Sequence, residues 1–168
     1  MIKGNNIITK DNHAKIEIKS KKYGLFHALI DLEDIERIEG YTWYVCLNKY
    51  TNSFYVINSK YKLILHNLIM NTPKGMQVDH IYHNTLDNRK DNLRICTNKQ
   101  NKENQLTCQF NNKSSSIRGV TWNKQNKKWQ AQISHNKKYI YGGLFDSLEC
   151  AELKAIELRN KYFTHSLI

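Results

Sequence analysis

Residues 105–116, QLTCQFNNKSSS, lack hydrophobic periodicity, end in three serines, and stand between two patterned blocks. Such a stretch adds little to a core, so each block has to bury its own apolar residues. A chain of 168 residues holds one ordinary core or two small ones, because domains rarely fall below about 50 residues. Two modules are therefore expected, residues 1–104 and 117–168, with 105–116 as the linker. Both should fold, since 40% of residues are hydrophobic and the chain has ten Tyr, three Trp and a single Pro.

The first block reads as strand-rich. KIEIKS at 15–20 alternates and 27–30 is a short apolar run, both predicting strands. Leu32, Ile35 and Ile38 recur at helical spacing before Gly40, which predicts a short helix. TWYVCLN and FYVINS, separated by polar residues 49–53, predict a hairpin with Trp43, Tyr44, Phe54 and Tyr55 on its core face. Residues 63–70 read as a strand end entering a short helix stopped by Pro73 and Gly75, and His66 inside this apolar run reads as a packed residue. The second block offers strands at 118–122, 128–134 and 138–144. A helix over 147–162 follows, with Ser147 as N-cap and Leu148, Ala151, Leu153, Ala155, Ile156 and Leu158 facing a core. The fold class is thus α+β, ending in a small three-stranded antiparallel sheet plus helix.

Charge is unevenly placed along the chain. The formal net charge is +11, and residues 104–145 contain no Asp or Glu but carry Lys113, Arg118, Lys124, Lys127, Lys128, Lys137 and Lys138. Seven cations without an anion favour a polyanionic partner such as nucleic acid, and a solvated lysine-rich surface is an equal alternative on charge alone. Cys46, Cys96, Cys108 and Cys150 form no CxxC pair, which fits reduced thiols in a cytoplasm. No apolar run approaches the roughly 18 residues of a membrane span, and residues 1–10 lack a signal-peptide core.

The chemistry concentrates in residues 76–105, MQVDHIYHNTLDNRKDNLRICTNKQNKENQ. Its order is strand (77–81), polar loop, strand (92–96) and helix, with Thr97 as cap and Gln100 three residues on in a capping-box pattern. Asn101 lies one turn into that helix. The ordered set Asp79-His80, Asn92 opening NLR, and Asn101 after Thr97 closely resembles the HNH nuclease motif, a ββα-metal hairpin and helix, in the form found in phage and intron-encoded homing endonucleases. The family motif often ends in His where this chain has Asn101, which still offers an oxygen to a hard cation. The resemblance implies one divalent ion, Mg or Mn, held by Asp79 and Asn101, with His80 as general base and Asn92 holding the loop that orients it. Arg89 and Arg94 are candidate phosphate contacts. His80 and His83 as a metal clip is disfavoured, because no second pair follows.

RGVTW, KKWQAQI, KKYIYGGLFDS and ECAELKAIEL in the second block resemble the ethylene-response-factor type DNA-binding domain, in which a three-stranded sheet enters the major groove. By position, the resemblance implies DNA contacts from Arg118, Gly119, Trp122, Lys128, Trp129 and Lys138, joined by the neighbouring Lys124, Lys127 and Lys137. Gly142-Gly143 replaces the usual apolar-glycine pair, and lysines at contact sites favour phosphate over base contacts. The expectation is a site-specific endonuclease acting on double-stranded DNA, monomeric and nicking one strand per active site, with a dimer as the route to double-strand cutting. Its rival is a non-catalytic DNA-binding regulator with a vestigial HNH fold.

Overall fold

The computed structural model describes residues 4–105, 112 and 114–166. Cys108, Lys113 and most of the expected linker lie outside the described residues. The chain divides into two compact units, Met1–Asn98 and Lys99–Ile168.

The first unit is built on alternation. β1 (Asn6–Lys10), β2 (His13–Ser20) and β3 (Gly24–Ile30) form an antiparallel sheet in which Ile16 faces Ala28 and Ile18 faces Phe26. Ala14, Ile16 and Ile18, spaced by two, are at most 1% exposed while Lys15 and Glu17 between them point outward, the pattern of a sheet covered on one face. β1 has no such alternation and its residues are mostly exposed, so its pairing, not its sequence, defines it. A 3-10 turn at Leu32–Asp34 and α1 (Ile35–Ile38) lead to Trp43, whose indole N–H donates to the Ile38 carbonyl at 3.1 Å.

β4 (Tyr44–Asn48), β5 (Ser53–Asn58) and β6 (Leu63–Ile64) make a second sheet, which runs into α2 (Leu65–Ile69). The hairpin core face differs from the expectation at Tyr44, which is 50% exposed beside Trp43 at 1%. Adjacent strand residues point to opposite faces, so only one of the pair can be inside. Asn5 ties these parts together: its amide donates to the carbonyls of Glu17 (3.0 Å) and Trp43 (3.1 Å) and accepts from the Trp43 N–H (2.6 Å). β7 (Gln77–His80) and β8 (Leu93–Cys96) complete the unit as an antiparallel ribbon, contributing Val78 and Leu93 to the shared core.

The second unit starts with α3 (Asn98–Glu103), which straddles the division after its first residue. β9 (Val120–Asn123), β10 (Lys128–His135) and β11 (Lys138–Phe145) form an antiparallel sheet in the order β11-β10-β9, backed by α4 (Leu148–Tyr162). Ser147 caps α4, its hydroxyl accepting from the Cys150 N–H at 3.3 Å. Small residues let α4 lie close to the sheet: Ala131, Ala151 and Ala155 are fully buried, and a Cβ on Gly142 would come 2.9 Å from the Leu158 side chain. Leu153, expected in the core, is 66% exposed; Arg159 takes an inward position instead, at 5%. Asn112 donates to the carbonyls of Ile117 and Val120, both at 2.8 Å, and the Ser115 hydroxyl donates to Val120 O at 2.6 Å, so the described residues just before β9 are bonded to it.

Gly119 has φ +87°, and a Cβ there would meet Ala155 Cβ and Gln132 O at 3.3 Å each. Gly119→Ala should therefore cost about 1–3 kcal/mol, read as a lower urea midpoint by tryptophan fluorescence, and an unchanged midpoint contradicts it. His66 on α2 is 7% exposed, and burial, with the His80 ring alongside, pushes its imidazole down to about 3. The unfolded chain takes up this proton below its ordinary pKa while the folded chain does not. The stabilisation is thus complete above the ordinary value and is lost as pH falls towards the folded one, by about 2 kcal/mol at pH 5. His66→Phe should lose that much less stability than wild type between pH 7 and pH 5, and equal losses contradict the assignment.

Candidate active site

Asp79 and His80 are the last two residues of β7, facing Arg94 and Leu93 across the ribbon. Asp79, His80 and Asn92 are 6%, 5% and 2% exposed, and polar groups buried to that degree require partners. Asp79 Oδ2 accepts from Arg94 Nε at 2.9 Å and Nη2 at 2.7 Å. The ion pair spans the strands directly opposite each other, where cross-strand side chains lie closest.

Asn92, at the end of a 3-10 turn (Lys90–Asn92), closes the loop between the strands. Its Nδ2 donates to the carbonyls of Asp87 (2.7 Å) and Asn84 (3.1 Å), and its Oδ1 accepts from the Tyr82 N–H at 2.9 Å. Its own carbonyl accepts from the Ile81 N–H at 2.7 Å. One side chain thus holds a polar loop at three points. The loop is also docked onto the sheets: Leu29 N–H donates to Leu86 O and Asn88 N–H to Leu29 O, both at 2.8 Å, while Thr85 donates to Phe54 O at 2.7 Å. Asp31 Oδ2 receives the Lys90 N–H at 2.8 Å.

The His80 ring is held by aromatic neighbours. His66 lies edge-on to it, centroids 4.9 Å apart and planes at 85°, and Tyr55 on β5 lies 5.9 Å from His66 and 6.0 Å from His80. Burial depresses the His80 imidazole below its usual value, against the opposing pull of Asn88's hydrogen bond and the Asp79 and Asp87 charges. His80 is therefore in its neutral, proton-accepting form at pH 7. His66 is buried, as the apolar run implied, but it also touches the candidate base 14 positions along the chain, a contact that periodicity does not reveal.

The arginines named from sequence are placed on protein groups. Arg89 grips Asp87 with Nε at 2.9 Å and Nη2 at 2.6 Å. Burial works to raise the Asp87 carboxyl, but the hydrogen bonds and charge of Arg89 outweigh it and hold the group below its usual range. Arg118 directs its guanidinium to the carbonyls of Lys102, Glu103 and Gln105 at the end of α3. Gly119 occupies the left-handed backbone region. Trp122 and Trp129 pair with centroids 4.9 Å apart on the sheet face that also carries Val120 and Ala131, the face packed on α4. Lys124 and Lys127 are exposed in the β9–β10 turn, Lys137 and Lys138 at the opposite end of β10, and Lys128 pairs with Asp146 at 3.1 Å.

The other face of this sheet carries a row that sequence reasoning did not single out. Asn123 Nδ2 donates to Gln130 Oε1 at 3.0 Å, and Gln130 Nε2 donates to Gln132 Oε1 at 2.8 Å. The signal available in the sequence was amide side chains at alternate positions of β10.

Asn101 sits half-buried on α3, and α3 from Lys99 onward belongs to the second unit, whereas Asp79, His80 and Asn92 belong to the first. Among the described residues no group of three or more His, Cys, Asp or Glu is placed to hold a metal. Taken singly, the Asp79 carboxylate and the Asn101 amide oxygen are donors that suit a hard ion keeping water or phosphate oxygens, such as Mg or Mn, better than zinc. No helix among the described residues is long and apolar enough to cross a membrane.

Residues 71–103 match the family model for HNH endonuclease. Protein 3.8 of Escherichia phage T7 is 35% identical over 66 residues, 39% of this chain and 53% of that protein. An uncharacterised HNH endonuclease of Acanthamoeba polyphaga mimivirus is 32% identical over 95 residues, 55% of this chain and 48% of that protein. The chain thus spans about half the length of these curated relatives. No solved structure matches. The family match falls on α3 and on the β7–loop–β8 segment that buries Asp79, His80 and Asn92.

Proposed function

We propose that the protein is a metal-dependent DNA endonuclease of the HNH homing type, nicking one strand per active site. The observation that carries this is the coincidence of the family match at 71–103 with a buried Asp79-His80 pair whose loop is fixed by Asn92. Asp79 and Asn101 would hold one divalent ion, Mg or Mn. When bound, that ion holds the scissile phosphate and stabilises the departing 3′ oxygen. His80 takes a proton from water on a ring nitrogen as the water oxygen attacks phosphorus, and the products carry 5′ phosphate and 3′ hydroxyl ends. Burial of His80 supports this role, because the neutral imidazole is the form that accepts a proton. His66 and Tyr55 restrict the tilt of the His80 ring, and Asn92 fixes the loop that follows it.

Binding to the DNA duplex is assigned to the lysines of the second unit, Lys124, Lys127, Lys137 and Lys138, as phosphate contacts. The exposed sheet face with Gln130 and Gln132 would serve for base edges, since side-chain amides pair with adenine. The ethylene-response-factor resemblance and the three-stranded sheet backed by a helix support this assignment. The rival, a DNA-binding regulator with a vestigial site, is favoured by one observation: Arg94 already neutralises Asp79.

Supercoiled plasmid incubated with magnesium separates the two. Wild type should convert it to nicked circle, and His80→Ala should be slower by about 10²–10⁴-fold, the usual contribution of a general base. Equal nicking by both proteins refutes His80 as the base, and DNA binding without cutting by either supports the regulator.

A further inference from the structure

Six residues are too few to form a stable helix alone, because nucleation is costly and short isolated helices are marginal in water. α3 therefore depends on what holds it, and its last turn is bonded to described residues of the second unit. Its last carbonyls, which a helix leaves without intrahelical partners, are taken by Arg118. Nη2 donates to Lys102 O at 2.8 Å, and Nη1 donates to Glu103 O at 2.9 Å and to Gln105 O. A guanidinium at a helix C-terminus also meets the negative end of the helix dipole.

Arg118 is itself locked in place. Its Cζ stacks 5.2 Å from the Phe163 ring, and its backbone carbonyl accepts from Nη1 of Arg159, which is 5% exposed. Burial, with the Arg159 charge nearby, pulls the Arg118 guanidinium down to about 10, as expected for a cation directed inward. On the other side of the helix, Glu103 is 5% exposed, and its Oε2 accepts from the Thr164 N–H at 3.0 Å and hydroxyl at 3.1 Å. Its Oε1 lies 3.7 Å from Lys99 Nζ and 3.9 Å from His135 Nδ1. Lys99 in turn donates to Asn136 Oδ1 at 2.7 Å, in the β10–β11 turn.

We propose that Arg118 is a positioning residue for Asn101, and that the C-terminal sheet and helix are the scaffold of α3, not a detachable binding module. Arg118 then serves the metal site by fixing the helix that carries one proposed ligand, and it makes no phosphate contact. The consequence for chain organisation is that a cut at residue 116 removes the support of α3 as well as the lysines. The metal part of this proposal rests on Asn101 being a ligand, whereas the mechanical part does not.

The experiment compares full-length wild type, Arg118→Ala and Arg118→Lys by three readouts. Amide hydrogen exchange of residues 99–104 should lose protection in both variants while β10 and β11 stay protected, because lysine cannot fork onto three carbonyls. Affinity for mixed-sequence duplex DNA, measured without divalent ion across a salt series, should keep its wild-type slope. The magnesium concentration giving half-maximal plasmid nicking should rise at least about tenfold with the KM for plasmid unchanged. Unchanged protection of α3 in Arg118→Ala overturns the proposal. So does a salt slope reduced by about 0.9, the signature of one lost phosphate contact. If wild type does not nick, the endonuclease assignment fails, while the exchange and salt arms still decide whether Arg118 holds α3. Should Arg118→Ala unfold the second unit, Glu103→Ala keeps Arg118 and removes the side-chain oxygen that receives Thr164. Loss of α3 protection in that variant supports the scaffold, and wild-type protection overturns it.

Discussion

The buried amide of Asn92 is the constraint on which the first unit's polar interior depends. A loop of 12 residues separates β7 from β8, and its polar backbone passes over a hydrophobic core. Backbone groups in such a place must be paired. Asn92 satisfies an N–H and two carbonyls with one side chain, which neither Asp nor Leu can do: a carboxylate has no donor for Asn84 and Asp87, and Leu has no polar atom. With the loop closed, the β7 end is fixed, and Asp79 and His80 stay inside instead of turning out to solvent. The bonds from Leu29 and Asn88 then join this loop to β3, so the site is continuous with the sheet that carries the core.

The distribution of cations follows a second rule. All five arginines of the chain bond to protein groups: Arg37 to Ile69 O, Arg89 to Asp87, Arg94 to Asp79, Arg118 to the end of α3, and Arg159 to Arg118 O. The planar guanidinium suits such multi-point bonding, and lysine, a flexible point charge, does not. The positive field that a polyanion would feel is therefore carried by lysines, which steer and neutralise phosphate but rarely make bidentate base contacts. Under the proposed DNA-binding role, base discrimination falls to neutral groups on the sheet, of which the Asn123–Gln130–Gln132 row is pre-ordered by its own hydrogen bonds.

Much of this was legible in the sequence where periodicity and burial coincide. KIEIKS became the most regular strand, Ser147 capped α4, and residues 63–70 form the strand end and short helix expected of them. Legibility failed where tertiary contact decides. Asn6–Lys10 has no pattern of its own and is a strand because β2 pairs with it. Leu153 is apolar yet outward, and Arg159 is charged yet inward, because the helix face is set by the sheet beneath it. At the site, the residues of the motif were visible as an ordered set, but the His66 contact, the use of Arg94 and Arg89 on carboxylates, and the anchoring of α3 by Arg118 join positions far apart in the chain. Spacing carries no information about such pairs.

In the proposed function, the loop held by Asn92 presents His80 for phosphodiester hydrolysis. Its most direct test is the single-turnover rate constant for plasmid nicking by folded Asn92→Ala, with duplex affinity measured alongside. The rate should fall by about 10²-fold, the usual effect of displacing a reacting group by about an ångström, at unchanged affinity. A wild-type rate in Asn92→Ala would contradict it.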